Sequence, residues 1–270
     1  MAAEQSSFFS VLAAGQRVWA VAAIHGEAER LRALHDELGA RFLPGDRLVY
    51  LGNYLGYGVD VCGTQDEMLA FRRAIIAKPG TFACDVAFLR GAQEEMWRKL
   101  LQLQFATSPG QVLDWMLGQG LEATLRAYGQ DPRDGRAACR EGALAIAKWT
   151  IQIRHAVHAR PGHDELNAAL RRAAHTAGNE LLFVAAGIDP ERPLGQQGDV
   201  FWWGSGYFAQ ISAPFEGFKR VIRGHERRSG ARGVDLESYA ATIDGGAGFG
   251  GTLNAVCFDY GGKAVDWIEA

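Results

Sequence analysis

Two histidines and one asparagine are the side chains of this sequence whose types and spacing best suit chemistry. His25, Asn53 and His225 each stand beside a glycine, just after a short apolar run typical of a buried strand. In α/β folds the loops that follow such strands meet at one edge of a sheet, so we expect these three residues to converge. Imidazole and amide groups can bind a metal, but zinc usually takes three or four good protein ligands. A weak single-metal site and a pair of histidines that hydrogen-bond to neighbours are therefore both open.

Strand-like runs alternate with helix-like ones along much of the chain. The first three strand-like runs, each followed by a loop and a helical pattern, span 17–24, 47–51 and 82–89. The later ones span 181–185, 220–223, 239–243 and 252–259. Residues from about 95 to 180 have helical spacing and almost no strand pattern, which predicts a helical insertion. We interpret the first dozen or so residues as a frayed lead-in and expect the first helix to end at Gly39.

Length and composition favour one globular domain over residues 1–270. The chain has 48% hydrophobic residues and a net charge of −3, so there is no general electrostatic reason for it to bind nucleic acid or an acidic membrane surface. No apolar stretch of about 18 residues suggests a membrane span. The four widely spaced cysteines lack a Cys-x-x-Cys pair, which argues against a zinc knuckle or a disulfide framework. We expect a cytoplasmic protein with reduced thiols.

Six segments, taken in order, resemble the calcineurin-like metallophosphoesterases, and most closely their bacterial serine/threonine protein phosphatases and symmetrical diadenosine tetraphosphatases. That family reads Gly-Asp-Ile-His-Gly, Gly-Asp-Arg-Leu-Val-Phe-Leu-Gly-Asp-Tyr-Val-Asp-Arg-Gly, Leu-Arg-Gly-Asn-His-Glu, Phe-Val-His-Ala-Gly, Gly-His-Thr and Asp-Thr-Gly-Ala. The matching segments here are 22–26, 45–58, 89–94, 183–187, 224–226 and 244–248. The resemblance covers residues 17 to about 268. It implies an α/β fold, the αββα four-layer sandwich of two mixed sheets, with a helical insertion.

The resemblance also implies that the family's two-metal site is degenerate in this chain. The metal ligands of the family fall on Ala23, His25, Asn53, Ala92, Ala185 and His225. Alanine offers no lone pair, and the neutral amide of Asn53 replaces a bridging aspartate that would hold two dications together. The family's general acid histidine falls on Gln93, which cannot donate a proton near neutral pH. Its Asp-Arg pair, which orients the acid and grips phosphate, falls on Gly56 and Tyr57.

These losses predict a pseudophosphatase that binds a partner protein or a phosphorylated ligand without hydrolysing it. One alternative is a weak or altered phosphoesterase with a single divalent metal, Mn, Fe or Zn, held by His25, Asn53 and His225. A second is a structural subunit that pairs with an active paralogue. No cofactor is expected beyond that one metal. Oligomeric state and ligand identity stay open.

One basic cluster suggests how an anion would be held without a metal. Arg223, Arg227 and Arg228 surround His225 in sequence, and arginine can bind phosphate in a bidentate way. A solvated loop of charges is the alternative.

Three further patterns are open to more than one interpretation. His155, His158 and His163 suggest a metal by their spacing, although Pro161-Gly162 interrupts the helix, so a solvated helix end is preferred. Segment 246–251 is better explained as a glycine-rich hairpin than as a nucleotide loop. The aromatic residues of 200–208 are expected to pack under a sheet or, alternatively, to form an exposed patch for a partner.

Overall fold

The computed structural model of the chain describes residues 8–14, 17–204, 206–226, 234–236 and 239–270. Its described residues form two five-stranded mixed sheets, ordered β1-β5-β6-β7-β8 and β10-β9-β2-β3-β4. The strands are β1 Phe9–Leu12, β2 Arg17–Val21, β3 Arg47–Tyr50, β4 Val86–Phe88, β5 Ala173–Thr176, β6 Leu181–Val184, β7 Arg220–Arg223, β8 Ala240–Thr242, β9 Asn254–Asp259 and β10 Ala264–Glu269. The two-sheet α/β architecture predicted from the sequence is confirmed.

The helices lie mostly on the outside of the second sheet and in the insertion. They are α1 Ala28–Arg41, α2 Val61–Ile76, α3 Ala92–Leu100, α4 Pro109–Met116, α5 Glu122–Ala127, α6 Pro132–Glu141, α7 Ala143–His158, α8 His163–Ala169 and α9 Val200–Trp203. Helices α3 to α8 separate β4 from β5 and form the predicted helical insertion, with a core of its own that includes Trp97, Leu113 and Trp149. None of the described helices is long and apolar enough to cross a bilayer.

The central strands are buried on both faces, and their successive side chains point to opposite sides. In β2, Trp19 and Val21 face the helices α1 and α2, whereas Val18 and Ala20 face the other sheet. The same alternation continues in β6, where Phe183 packs between the sheets. The outer face of β6 is covered by α9 and by loops of 188–218. The layers therefore follow an αββα order, with the last layer built mainly from loops.

Parallel pairing brings the functional loops to one edge. Strands β2, β3 and β4 are parallel neighbours in one sheet, and β6, β7 and β8 are parallel neighbours in the other. The loop after β2 meets the loop after β7 where the Ala23 amide N–H donates to the Gly224 carbonyl oxygen, at 3.0 Å. The carboxyl ends of both parallel groups thus open onto one common site.

The structure differs from the sequence predictions in four places. Strand β1 pairs in parallel with β5, so residues from Phe9 onward are part of a sheet and not a frayed lead-in. Strand β5 itself lies inside the region where almost no strand pattern was found. Helix α1 continues past Gly39 to Arg41. Segment 246–251 is not a hairpin, because it contains a 3₁₀ turn and connects β8 of one sheet to β9 of the other.

Candidate functional site

The loops after β2, β3, β4 and β7 meet at the common edge of the two sheets, which we call the loop edge. Asn53 lies at its centre. It is fully buried, and its backbone has a positive φ of 55°, which asparagine tolerates better than most residues. Its carbonyl oxygen accepts the amide N–H groups of Ile24 (3.0 Å) and His25 (2.7 Å), so the loop after β3 holds the loop after β2. Its side-chain Oδ1 accepts the Gln93 amide N–H at 3.1 Å, while Nδ2 has no hydrogen-bond partner. Asn53 therefore joins three loops, because its backbone holds the loop after β2 and its side chain holds the loop after β4.

Glu94 connects the loop after β3 to the loop after β4. Its buried carboxylate accepts four backbone N–H groups: Oε1 accepts from Tyr54 (2.8 Å) and Leu55 (3.1 Å). Oε2 accepts from Asn53 and Gly91, both at 2.8 Å. Burial raises the pKa of the Glu94 carboxyl, and the four backbone donors offset part of that rise. Glu94 thus lies in the first turn of α3 and also reaches the loop after β3.

The two histidines of the site lie edge to face. The ring centroids of His25 and His225 are 5.3 Å apart, with an angle of 72° between the ring planes. His25 Nδ1 lies 3.3 Å from the Leu55 carbonyl oxygen, and its buried Nε2 has no partner. Burial, together with the charge that His225 can carry, lowers the pKa of His25 to about 3. His25 is therefore neutral at physiological pH.

Asp244 is a site residue that was not singled out from the sequence. Its carboxylate lies 3.1 Å from His225 Nδ1 and accepts the amide N–H groups of Glu226 (2.8 Å) and Gly246 (2.9 Å). Burial of Asp244 opposes its ionisation, but His225 and the two backbone donors outweigh this and lower its pKa. The available signal was the aspartate that begins the sixth family-like segment. An ionised Asp244 fixes the orientation of the His225 ring, as carboxylates do for metal-binding histidines.

The other positions at which the resemblance implies metal ligands carry no donor that would complete a two-metal centre. These positions are Ala23, Ala92 and Ala185, and all three are buried. Among the described residues there is no group of three or more His, Cys, Asp or Glu side chains that could hold a metal ion. Two imidazoles and one hydrogen-bonded amide, without a bridging carboxylate, do not fit a pair of bridged dications.

An aromatic ring, that of Tyr57, stands at one of the two positions to which the resemblance assigns the Asp-Arg pair, and a glycine stands at the other. The Tyr57 ring is 4.6 Å from that of Phe249 and 5.4 Å from that of His25. Gly56 also has positive φ, and a side chain there would collide with Gln93, whose Nε2 donates to the Gln119 carbonyl oxygen at 2.7 Å. Gln93 is thus bound to the insertion, whereas Tyr57 is 37% exposed.

Tyr57 depends on a glycine of the insertion. Its ring packs on Gly120, in the π-helical turn Leu117–Leu121, and a Cβ added at Gly120 would lie 2.8 Å from the ring. Gly120 itself has φ of 95°. The insertion is therefore shaped to receive the tyrosine.

Arg223 is engaged within the protein. Its side chain is buried, donates to Thr242 Oγ1 (2.8 Å) and Glu226 Oε1 (2.6 Å), and lies over the Phe208 ring. The Arg223 guanidinium is thus paired with Glu226 within the protein, and the role of Arg223 in anion binding stays a prediction. Arg227 and Arg228 lie outside the described residues.

The other predicted features separate into core and surface. His163 is buried and lies 2.7 Å from the Tyr128 hydroxyl, whereas the exposed His158 pairs with Asp164 at 2.8 Å. The three histidines of this segment therefore do not share one site. Trp202 is buried under the first sheet, and Tyr207 of the same segment is 47% exposed. The aromatic segment thus contains both packed and exposed residues.

Comparison with known proteins supports the fold. No family model and no curated protein sequence matches the chain. Solved structures do match. A cold-active protein tyrosine phosphatase matches with a TM-score of 0.57 and 12% identity, over 97% of this chain and 82% of that one. The cold-active protein tyrosine phosphatase of a psychrophilic Shewanella species matches with a TM-score of 0.50 and 12% identity, over 95% of this chain and 81% of that one.

A metallophosphoesterase from Sphaerobacter thermophilus also matches, with a TM-score of 0.47 and 16% identity, over 95% of this chain and 88% of that one. At such identities a likeness in structure concerns the fold alone. The two mixed sheets, and the loops that converge at their common edge in the order of the six segments, lead to one conclusion. The chain has a calcineurin-like metallophosphoesterase fold.

Proposed function

We propose that this chain is a pseudophosphatase, a phosphatase-like protein that binds a partner protein or a phosphorylated ligand and does not hydrolyse phosphate esters. The observation that carries the proposal is the state of Asn53. Its Oδ1 accepts the Gln93 amide, and its carbonyl oxygen holds the β2 loop. The position that would bridge two metals in the family thus serves to join loops.

The surrounding residues support the same conclusion. Alanines stand at three ligand positions, and Gln93 stands where a general acid is needed. Tyr57 occupies the position of a phosphate-gripping arginine and packs on Phe249. The three alanines supply no metal ligand, and Gln93 supplies no proton for a leaving group.

For a phosphorylated ligand, the arginines that follow His225 in sequence are the proposed contacts. Arg227 and Arg228 can bind phosphate without a metal, because guanidinium groups match its oxygens in pairs. Phosphoserine or phosphotyrosine binding measured by calorimetry should be lost in a double Arg227→Ala, Arg228→Ala variant. Unchanged binding in that variant would exclude this contact.

The test of the proposal combines metal analysis with turnover. The full chain, purified and dialysed against Mn²⁺, Fe²⁺ and Zn²⁺ in turn, should hold no stoichiometric metal. Its hydrolysis of an aryl phosphate and of diadenosine tetraphosphate should not exceed the background of a His225→Ala variant. Stoichiometric metal, together with turnover that His225→Ala abolishes, would refute the pseudophosphatase.

One observation favours a second candidate, a phosphoesterase with a single metal. If Nδ1 of each histidine donates, to Leu55 in one case and to Asp244 in the other, both Nε2 atoms keep a lone pair. The Nε2 of His25 is buried without a partner. The two rings could therefore share one metal, completed by water. The metal analysis above decides between this candidate and the pseudophosphatase.

A further inference from the structure

A cavity of about 430 Å³ lies at the helical insertion. Its walls come from the loop after β4 and from helices α3, α7 and α8. This size falls within the range of small-molecule sites in proteins, which is about 300–1,000 Å³. His155 and His158 line it, whereas His25, Asn53 and His225 do not.

The floor of the cavity is apolar. Trp97, Val157 and Leu170 are buried residues that line it, and Leu101 is a partly buried one. The four side chains come from α3, α7 and the segments next to them, so helix packing holds their positions. Such a floor suits an aromatic ring or a short aliphatic body.

The rim of the cavity carries three arginines. Arg90 and Arg98 both contact Glu95, Arg90 at 3.4 Å and Arg98 at 2.7 Å. Arg154 uses one guanidinium nitrogen to donate to the Leu101 carbonyl oxygen, at 2.8 Å. An arginine has five N–H donors, so these contacts leave others that can face the cavity.

The two acidic residues at the cavity are already engaged. Glu94 directs its carboxylate to four backbone amides of the loop edge. Asp164 pairs with His158 at 2.8 Å. Both carboxylates are thus hydrogen-bonded to groups other than the three arginines of the rim.

We propose that this cavity, with Trp97 and Leu101 as floor and Arg90, Arg98 and Arg154 as rim, binds a small organic anion with an apolar body. A carboxylate or phosphate head would take bidentate contacts from the arginines, while the body covers the floor. This site is separate from the degenerate metal site. It does not depend on whether the chain hydrolyses phosphate esters.

The test is calorimetric titration of the full chain, in the presence of a chelator, with four probes. Phenyl phosphate and phenylacetate carry both the ring and the charge. Phenol carries only the ring, and inorganic phosphate carries only the charge. At least one of the two aromatic anions should bind about tenfold more tightly than both phenol and inorganic phosphate. Which one does so identifies the preferred head group. If either phenol or inorganic phosphate binds as tightly as the two aromatic anions, the proposal is wrong.

Variants place the binding in this cavity. Arg154→Met should weaken the bound aromatic anion about tenfold, because the charged donors are removed and an apolar stem is kept. Lys148→Met is the matched control, since Lys148 is an exposed cation on the same helix, does not line the cavity, and should leave affinity unchanged. Equal affinity in Arg154→Met and wild type would overturn the proposal.

A second variant protects the test against misfolding. Arg98 is about half exposed, so Arg98→Met should fold and should also weaken binding. If the wild type hydrolyses phenyl phosphate, the pseudophosphatase is refuted, but phenylacetate has no ester to cleave and still reports on the cavity. The two proposals therefore fail by different results.

Discussion

The carboxylate of Glu94 should be the side chain on which the loop edge depends most, and Glu94→Gln tests this. Glutamine has almost the same shape, but only one of its two terminal atoms is an acceptor. Each oxygen of Glu94 accepts two backbone N–H groups. The variant therefore leaves two buried donors facing an NH₂ group.

The expected cost follows from these contacts. A hydrogen bond to a charged group contributes about 1.5–3 kcal/mol, so the loss of two gives about 3 kcal/mol at the lower end. The lower end applies because glutamine also avoids the cost of burying a charge, which raises the pKa of Glu94. For a chain of this size the melting temperature should fall by about 6–12 °C.

Thermal unfolding followed by circular dichroism measures the global effect. Glu29→Gln is the matched control, because Glu29 is an exposed carboxylate in the first turn of α1 and should cost about 0.5 kcal/mol or less. Hydrogen exchange gives a local measure, since one pair of amides, either Tyr54 and Leu55 or Asn53 and Gly91, should lose protection in the Glu94 variant. A melting temperature within about 2 °C of wild type, with unchanged exchange at all four amides, would refute the role assigned to Glu94.

Three further predictions concern the same site. Burial lowers the pKa of His25 to about 3 from 6.5, so below pH 6.5 the unfolded chain alone takes up this proton. The free energy of unfolding should therefore fall by about 2 kcal/mol between about pH 6.5 and pH 5. In urea melts His25→Asn should remove this loss and His155→Asn should retain it; equal losses in both would contradict the assignment. Gly120→Ala should destabilise by about 1–2 kcal/mol, because of its positive φ and its contact with a tyrosine ring. Gly118→Ala, in the same turn with open space around it, should cost about 0.5 kcal/mol or less in the same assay, and a cost as large as that of Gly120→Ala would argue against the contact. Asn53→Asp alone should leave aryl phosphate hydrolysis at background with added Mn²⁺, since three ligand positions remain alanine; metal-dependent turnover would show that the missing ligands are not needed.

Much of the fold could be predicted because its central strands are continuous apolar runs. The strand over Arg47–Tyr50 is buried on both faces, and a strand of this kind takes apolar side chains at successive positions. That pattern can be recognised in the sequence alone. Strand β1 and its partner β5 could not be found in this way. Ala173–Thr176 has little intrinsic strand preference and is stabilised by pairing with residues more than 150 positions earlier in the chain.

The position of three candidate residues at one edge of the sheets could be predicted from the sequence, but their hydrogen bonds could not. Motif order located His25, Asn53 and His225, and the structure brings all three to one edge. The order of the motifs did not indicate that Glu94 would reach the loop after β3 or that Asp244 would orient His225. Those contacts join residues 19 to 41 positions apart, and their geometry exists only once the sheets have formed.

The hydrogen bonds of the Glu94 carboxylate have a consequence for how such a site can change during evolution. In proteins whose fold depends on a bound metal, replacing a ligand also removes folding energy. Here the loop after β3 is held by three hydrogen bonds to a side chain that stands at none of the ligand positions, and a fourth holds the loop after β4. An exchange of donors at positions 23, 92 and 185 leaves the Glu94 carboxylate in place. The shape of the loop after β3 therefore does not require that a metal ligand be present.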